Sequence, residues 1–172
     1  MTINEFINRI LPIRHQLFRL ASRLLGRREE AEDAVQETLI KLWNKRKNLH
    51  EYRSINALAI TIIKNHCLDQ IKSKGFQASV NSRNINLQSE TNSLDKQLEI
   101  TDQIEIVKQL IDQLPSQQKV IIHLRDIEGL DYEEIADITG QSINNLRVNI
   151  SRARRKIRDQ LIKMQQYEYQ RN

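Results

Sequence analysis

The sequence predicts an all-α fold of two small helical domains joined by a flexible linker, and three observations carry that reading. Four Gly and two Pro in 172 residues are few for a β-rich chain. Apolar residues return every three or four positions through most of the length, the period of helices with one buried face. That period lapses from Gly75 to about Glu99, GFQASVNSRNINLQSETNSLDKQLE, a stretch rich in Ser, Asn and Gln. The predicted domains are residues 1–74 and 100–163, with a linker at 75–99 and a polar tail at 164–172.

Composition narrows the classes of function. Hydrophobic residues make up 39% of the chain, enough for a core, although only 5% are aromatic. A net charge of +5 and a pI near 9.4 suit an anionic partner without identifying it. Cys67 is the one cysteine, so no intramolecular disulfide can form. No signal peptide and no apolar run of bilayer-spanning length is visible, so the expectation is a cytoplasmic protein with no membrane insertion.

In chain order, Ile3, Phe6, Ile7 and Ile10, then Leu17, Leu20, Ala21 and Leu24, fall at helical spacing. Pro12 between the two sets predicts a kink or a second helix start, and Gly26 an end. From Arg28 to about Lys45, Ala31, Ala34, Val35, Thr38, Leu39, Leu42 and Trp43 form a stripe. Glu29, Asp33 and Glu37 line another face at i, i+4 and i+8, and Glu37 can pair with Lys41. By itself this acidic face reads as solvated surface with charges favourable at a helix start.

After the polar break NLHEYRS, a third helix is predicted from Ile55 to Lys74, apolar at Ile55, Leu58, Ala59, Ile62, Ile63, Leu68 and Ile71. His66 beside Cys67 is no metal or nucleophile motif, because helix neighbours point about 100° apart and no ligand cluster surrounds them. The linker of 25 residues, fully extended, spans about 80 Å. That exceeds two turns of B-DNA at roughly 35 Å each, so the halves could engage separated sites on one duplex. Beyond it, Ile104, Val107, Leu110, Ile111 and Leu114 predict a helix stopped by Pro115. Ser116 is expected to cap the next, apolar at Val120, Ile121, Ile122 and Leu124 and ended by Gly129. The tail from Met164 is expected to fray.

Residues 132–161, YEEIADITGQSINNLRVNISRARRKIRDQL, carry the functional signal. Asp131 and Glu134 fit a capping box, Gly140 a sharp stop, and Ser142 the cap of a second helix. Ile143, Leu146, Ile150, Ala153, Ile157 and Leu161 form that helix's buried stripe. Small Ala136, Gly140 and apolar Leu146 stand where a helix-turn-helix needs close approach, a turn and an anchor. Acids crowd the first helix and its lead-in, whereas none occurs between Arg147 and Arg158. A basic, Asn-rich face free of acids suits phosphates and base edges, so DNA binding is the function class favoured over an ordinary bundle.

Four stretches in register extend this reading: EEAEDAVQETLIKLW (29–43), IIKNHCLDQIK (62–72), LPSQQKVIIHLRDIEGLDYEEIADITG (114–140) and NNLRVNISRARRKI (144–157). Together they resemble a bacterial RNA polymerase sigma factor of the extracytoplasmic-function (ECF) group, with an N-terminal region 2 and a C-terminal region 4. The NLRVNISRARRK form and the NHCLD run look most like sigma factors from Bacteroidota. The resemblance implies core RNA polymerase and promoter DNA as partners, an anti-sigma factor besides, and no cofactor, catalysis or small-molecule substrate. It places Asp33, Gln36 and Glu37, with Trp43 alongside, on the polymerase clamp. It places Asn56, Thr61, Lys64, Asn65 and Asp69 at the melted −10 element. Asn144, Asn145, Arg147, Val148, Ser151, Arg152, Arg154, Arg155 and Arg158 fall at the −35 element. Ala57 and Leu58 depart from the pattern, since many sigma factors carry an aromatic there for base stacking. The alternative is a helix-turn-helix regulator acting apart from polymerase, with an N-terminal dimerisation or sensing domain; an enzyme is disfavoured by the lack of any P-loop, nucleophile motif or ligand set.

Overall fold

In the computed structural model, which describes residues 2–80 and 98–171, every regular element is helical. Thr2 and Glu5 form a capping box on α1 (Ile3–Ile10), each side chain bonding the other's backbone N–H, at 3.3 and 2.8 Å. Pro12 sits in a 3-10 turn, Leu11–Ile13, where its missing N–H is harmless, and the chain is redirected into α2 (Arg14–Leu25). Gly26 ends α2 in the left-handed conformation, φ 73°, its N–H returning to the Ser22 carbonyl.

Ala31, Ala34, Val35, Thr38 and Leu42 are the buried face of α3 (Arg28–Asn44), which packs on α2. The buried Thr38 hydroxyl donates to the Ala34 carbonyl at 2.8 Å, so its desolvation is compensated. After a second 3-10 turn, Leu49–Glu51, α4 (Ile55–Val80) crosses α2 and α3 with Ala59, Ile60, Ile63 and Cys67 buried.

A second group of helices follows: α5 (Leu98–Asp112), α6 (Ser116–Ile122) with a π-helical extension at His123–Ile127, α7 (Tyr132–Thr139) and α8 (Ile143–Arg171). Leu110, Ile111, Leu114, Val120, Ile121, Leu124, Ile135, Ile138, Leu146, Ile150 and Ala153 are buried here.

Several expectations are revised. Ser116 is the first helical residue of α6, and extended Pro115 (ψ 144°) precedes it with no side-chain cap. Gly75 does not stop α4, because one helical glycine costs only about 1 kcal/mol relative to alanine. Of the predicted linker, residues 75–80 and 98–99 are helical and 81–97 lie outside the described residues. Rather than fraying at Met164, α8 continues to Arg171 through a stretch with no Gly or Pro.

The largest difference concerns the two halves. The predicted linker suggested separable units, yet α4 packs on α7 and α2 on α6, and one cluster of buried apolar side chains runs from Ile10 through Ile63 to Ala153. Joining the halves removes apolar surface of both from water.

Candidate nucleic-acid interface

The helix-turn-helix is built by short, local hydrogen bonds. Asp131 Oδ1 accepts from the Glu134 N–H at 2.7 Å, and Glu134 Oε2 accepts from the Asp131 N–H at 3.0 Å, completing the capping box of α7. Gly140 (φ 69°) closes α7 with its N–H on the Ala136 carbonyl at 2.8 Å. Ser142 Oγ accepts from the Asn145 N–H at 3.3 Å and so starts α8. Leu146, fully buried, locks α8 against the core.

That burial rotates a continuous polar face outward. Asn144, Asn145, Arg147, Val148, Ser151, Arg152, Arg154, Arg155 and Arg158 are all exposed. Two arginines are preoriented. Arg147 lies 5.4 Å from the centre of the Tyr132 ring, which also carries Arg125 at 4.6 Å. Arg154 makes a two-pronged pair with Asp126, at 2.5 and 3.1 Å. Asn149 adds a bond to Gln141 in the turn, 3.1 Å long. An acid therefore does reach this face, but from the lead-in to α7 rather than from α8 itself.

The five residues expected at the −10 element do not form one surface. Thr61 and Lys64 face the second group of helices. Lys64 is only 8% exposed; its Nζ donates to the Ile138 carbonyl at 2.7 Å, and burial lowers its pKa. The Thr61 hydroxyl is used within α4, on the Ala57 carbonyl at 2.8 Å. Asn65 and Asp69 are exposed on another side, where with Lys41 they line a shallow depression beside α3. Half-buried Asn56 leaves its Oδ1 without a protein partner.

Asp33, Gln36 and Glu37 share an exposed side of α3. Trp43 does not join them as an open group: it is half-buried, edge-on to Phe6 at 5.1 Å and beneath the Arg46 guanidinium at 4.2 Å. The expected Glu37–Lys41 pair is not formed; among the described residues the ion pairs confined to α3 and its lead-in are Arg28–Glu32 at 2.9 Å and Arg27–Glu30 at 3.7 Å.

Cys67 is fully buried and its thiol pKa is pushed up to about 12, the opposite of an activated nucleophile. Among the described residues no group of three or more His, Cys, Asp or Glu side chains could hold a metal, and no helix is long and apolar enough to cross a membrane.

Sequence reasoning missed a cluster at the junction of the halves. Arg19 makes a two-pronged pair with Glu128, at 2.8 and 2.7 Å, and Glu128 lies 3.2 Å from buried His123. Arg23 meets Asp112 at 2.8 Å and the Lys108 carbonyl at 3.3 Å. Arg19 and Glu128 are 109 residues apart and Arg23 and Asp112 are 89 apart, so no periodic signal marks these pairs.

Comparison with known proteins bears on both halves. Residues 11–77 match the model of Sigma-70 region 2, and residues 104–157 that of Sigma-70 region 4. The chain is 30% identical over 155 residues to the ECF RNA polymerase sigma factor SigE of Mycolicibacterium smegmatis, covering 86% of this chain and 58% of that protein. It is 30% identical over 159 residues to the RNA polymerase sigma-H factor of Pseudomonas aeruginosa, covering 86% of this chain and 81% of that one. The fold resembles the sigma factor RpoE of Bartonella quintana, solved in complex with the anti-sigma factor NepR, with a TM-score of 0.77, 25% identity, and 92% and 98% of the two chains covered.

Proposed function

Because the chain belongs to the RNA polymerase sigma factors, in the ECF group, we propose that it binds core RNA polymerase, recognises promoter −35 and −10 elements and promotes strand opening. It has no catalysis of its own in this reading, and acts in the cytoplasm. The observation that carries it is the presence of both matched segments, region 2 and region 4, in order on one chain. A regulator working apart from polymerase would have no use for the first.

Residues 1–74 take the clamp and the −10 element, through Asp33, Gln36 and Glu37 and through Asn56, Thr61, Lys64, Asn65 and Asp69. Trp43, half-buried against Phe6, stands alongside these residues in the clamp-binding set. Residues 100–163 take the −35 element, with Asn144, Asn145, Arg147, Val148, Ser151 and Arg152 near base edges and Arg154, Arg155 and Arg158 nearer phosphates. The exposure of the α3 acids and of the α8 cations supports these roles. An anti-sigma factor is a further proposed partner, by likeness to the Bartonella protein.

The test is transcription from a genomic promoter pool by purified core polymerase, with and without this chain. The NLRVNISRARRK form makes a Bacteroidota core enzyme the one to use. New start sites that appear only with the chain are expected. Binding to promoter DNA without any new start site would favour the regulator instead.

A further inference from the structure

We propose that the cavity walled by α2, α5 and α6 binds a small amphipathic carboxylate, an aliphatic acid whose head meets Lys119 and whose chain lies on the apolar wall. None of its lining residues belongs to the surfaces assigned to polymerase or DNA, so the site stands apart from those roles. Its volume of about 1130 Å³ lies slightly above the roughly 300–1,000 Å³ usual for small-molecule sites. The wall is mainly aliphatic: Leu24 and Leu25 come from α2, Ile104, Val107 and Ile111 from α5, and Ile127 from the π-helical extension. Ile104 and Ile127 are still 52% and 42% exposed, so this apolar lining is in contact with water and gains by being covered.

The charges of the lining decide the class of ligand. Arg19, Arg23, Lys108 and Lys119 stand there against a single acid, Asp112. Three of these cations are already committed, Arg19 to Glu128, Arg23 to Asp112, and Lys108 to Glu105 at 3.3 Å. Lys119 makes no ion pair and no side-chain hydrogen bond among the described residues. It is half-buried, and burial lowers its pKa, so the desolvation of its ammonium is uncompensated. His123 also lines the cavity but adds no charge at neutral pH, because its pKa is held down at about 4. One free cation therefore remains.

One cation beside an aliphatic wall suits a monoanion with an apolar body. A nucleotide or polyphosphate would need several free cations, and an apolar cation would be repelled. The Ser22 hydroxyl, buried and without a protein partner, is a second polar group of the same wall. A carboxylate has acceptors for both an ammonium and a hydroxyl, whereas an alkyl chain has none. Since α2, α5 and α6 all contribute to the lining, an occupant touches each of them and stabilises the native fold by mass action.

The test is isothermal titration of the full chain with decanoate below its micellar concentration, with hexanoate and decyltrimethylammonium as comparison probes. The expected result is saturable one-to-one binding of decanoate, a rise in Tm with its concentration, and no binding of the cationic probe. Hexanoate, with four fewer methylenes, should bind at least about tenfold more weakly. Lys119→Gln should weaken decanoate binding by about tenfold or more, as loss of a charge-assisted hydrogen bond implies, and Lys119→Arg should restore most of it. Lys163→Gln, exposed on α8 and outside the lining, should bind like wild type. Circular dichroism is the folding control, and should Lys119→Gln lose helicity, Lys119→Met carries the same expectation. The proposal is overturned by the absence of saturable decanoate binding, by equal affinity of the folded Lys119 variant and wild type, or by equal binding of the cationic probe. Sedimentation velocity completes the test: a dimer that takes up no decanoate would give the apolar wall to a second copy of the chain and overturn the proposal as well.

Discussion

Arg147 and Arg158 are both exposed on α8, but they stand at different depths of the proposed interface. Arg147 is near the N-terminal end, where a recognition helix meets base edges, and Tyr132 lies against its guanidinium. Arg147→Ala is expected to cost about 1–3 kcal/mol of discrimination at the −35 element, read by competition between cognate and altered sites. Arg158→Ala should instead weaken all sequences evenly and lower the salt slope by about one. Equal discrimination by Arg147→Ala and wild type would remove that residue from base readout. His123 supports a different expectation. Burial, chiefly, pushes its pKa down to about 4, with Arg23 and Arg19 acting in the same direction and Glu128 against. An unfolded chain takes up this proton near pH 6.5, so on acidification the unfolded state binds more protons and stability falls between about pH 6.5 and 4. Glu128, whose pKa is lowered, adds to the loss below about pH 4.5. Denaturant melts across this range should slope accordingly, and His123→Leu should flatten the upper part. The burial of Lys64 was not legible in the sequence, because the carbonyl it meets, that of Ile138, lies 74 residues away.

At the scale of elements, the turn chemistry was the most legible part. The capping pair Asp131 and Glu134, the left-handed Gly140 and the Ser142 cap all stand where their residue types and spacing put them, because each works through its own backbone within a few positions. Nothing lies within 4 Å of where a Cβ on Gly140 would be, so only the positive φ opposes a side chain there. Gly140→Ala is therefore expected to cost about 1–2 kcal/mol in chemical denaturation, and Gly140→Asn less, since Asn tolerates the left-handed region. An equal cost for both would point to lost packing instead. Boundaries governed by weaker preferences were less legible. The run of α4 past Gly75 and of α8 past Met164 shows helices persisting through residues that merely disfavour them or fail to reward them.

For the molecule as a whole, the two helical units were readable and their packing was not. Arg19 and Glu128 are 109 residues apart, and nothing local tells either that the other is its partner. The acidic side of α3 poses the complementary problem: its charges were visible in the sequence, but whether they were spent internally was not. They are exposed, and the pair expected between Glu37 and Lys41 is absent from the ion pairs of the described residues. Asp33 and Glu37 therefore keep their charge available for a basic partner. Asp33→Lys with Glu37→Lys should abolish or greatly weaken binding to core polymerase, because two attractions become repulsions worth several kcal/mol at an interface. Stability should change by only about 0.5 kcal/mol per site, since both side chains lie off the buried stripe of Ala31, Ala34, Val35, Thr38 and Leu42. Duplex binding through α8 should be retained, or strengthened nonspecifically by the four added positive charge units. Co-purification with core polymerase, with circular dichroism as the folding control, separates these outcomes. A folded double variant that still binds polymerase like wild type would move the docking surface off α3, and with it the reason for this helix to carry a row of exposed acids at Glu29, Asp33 and Glu37.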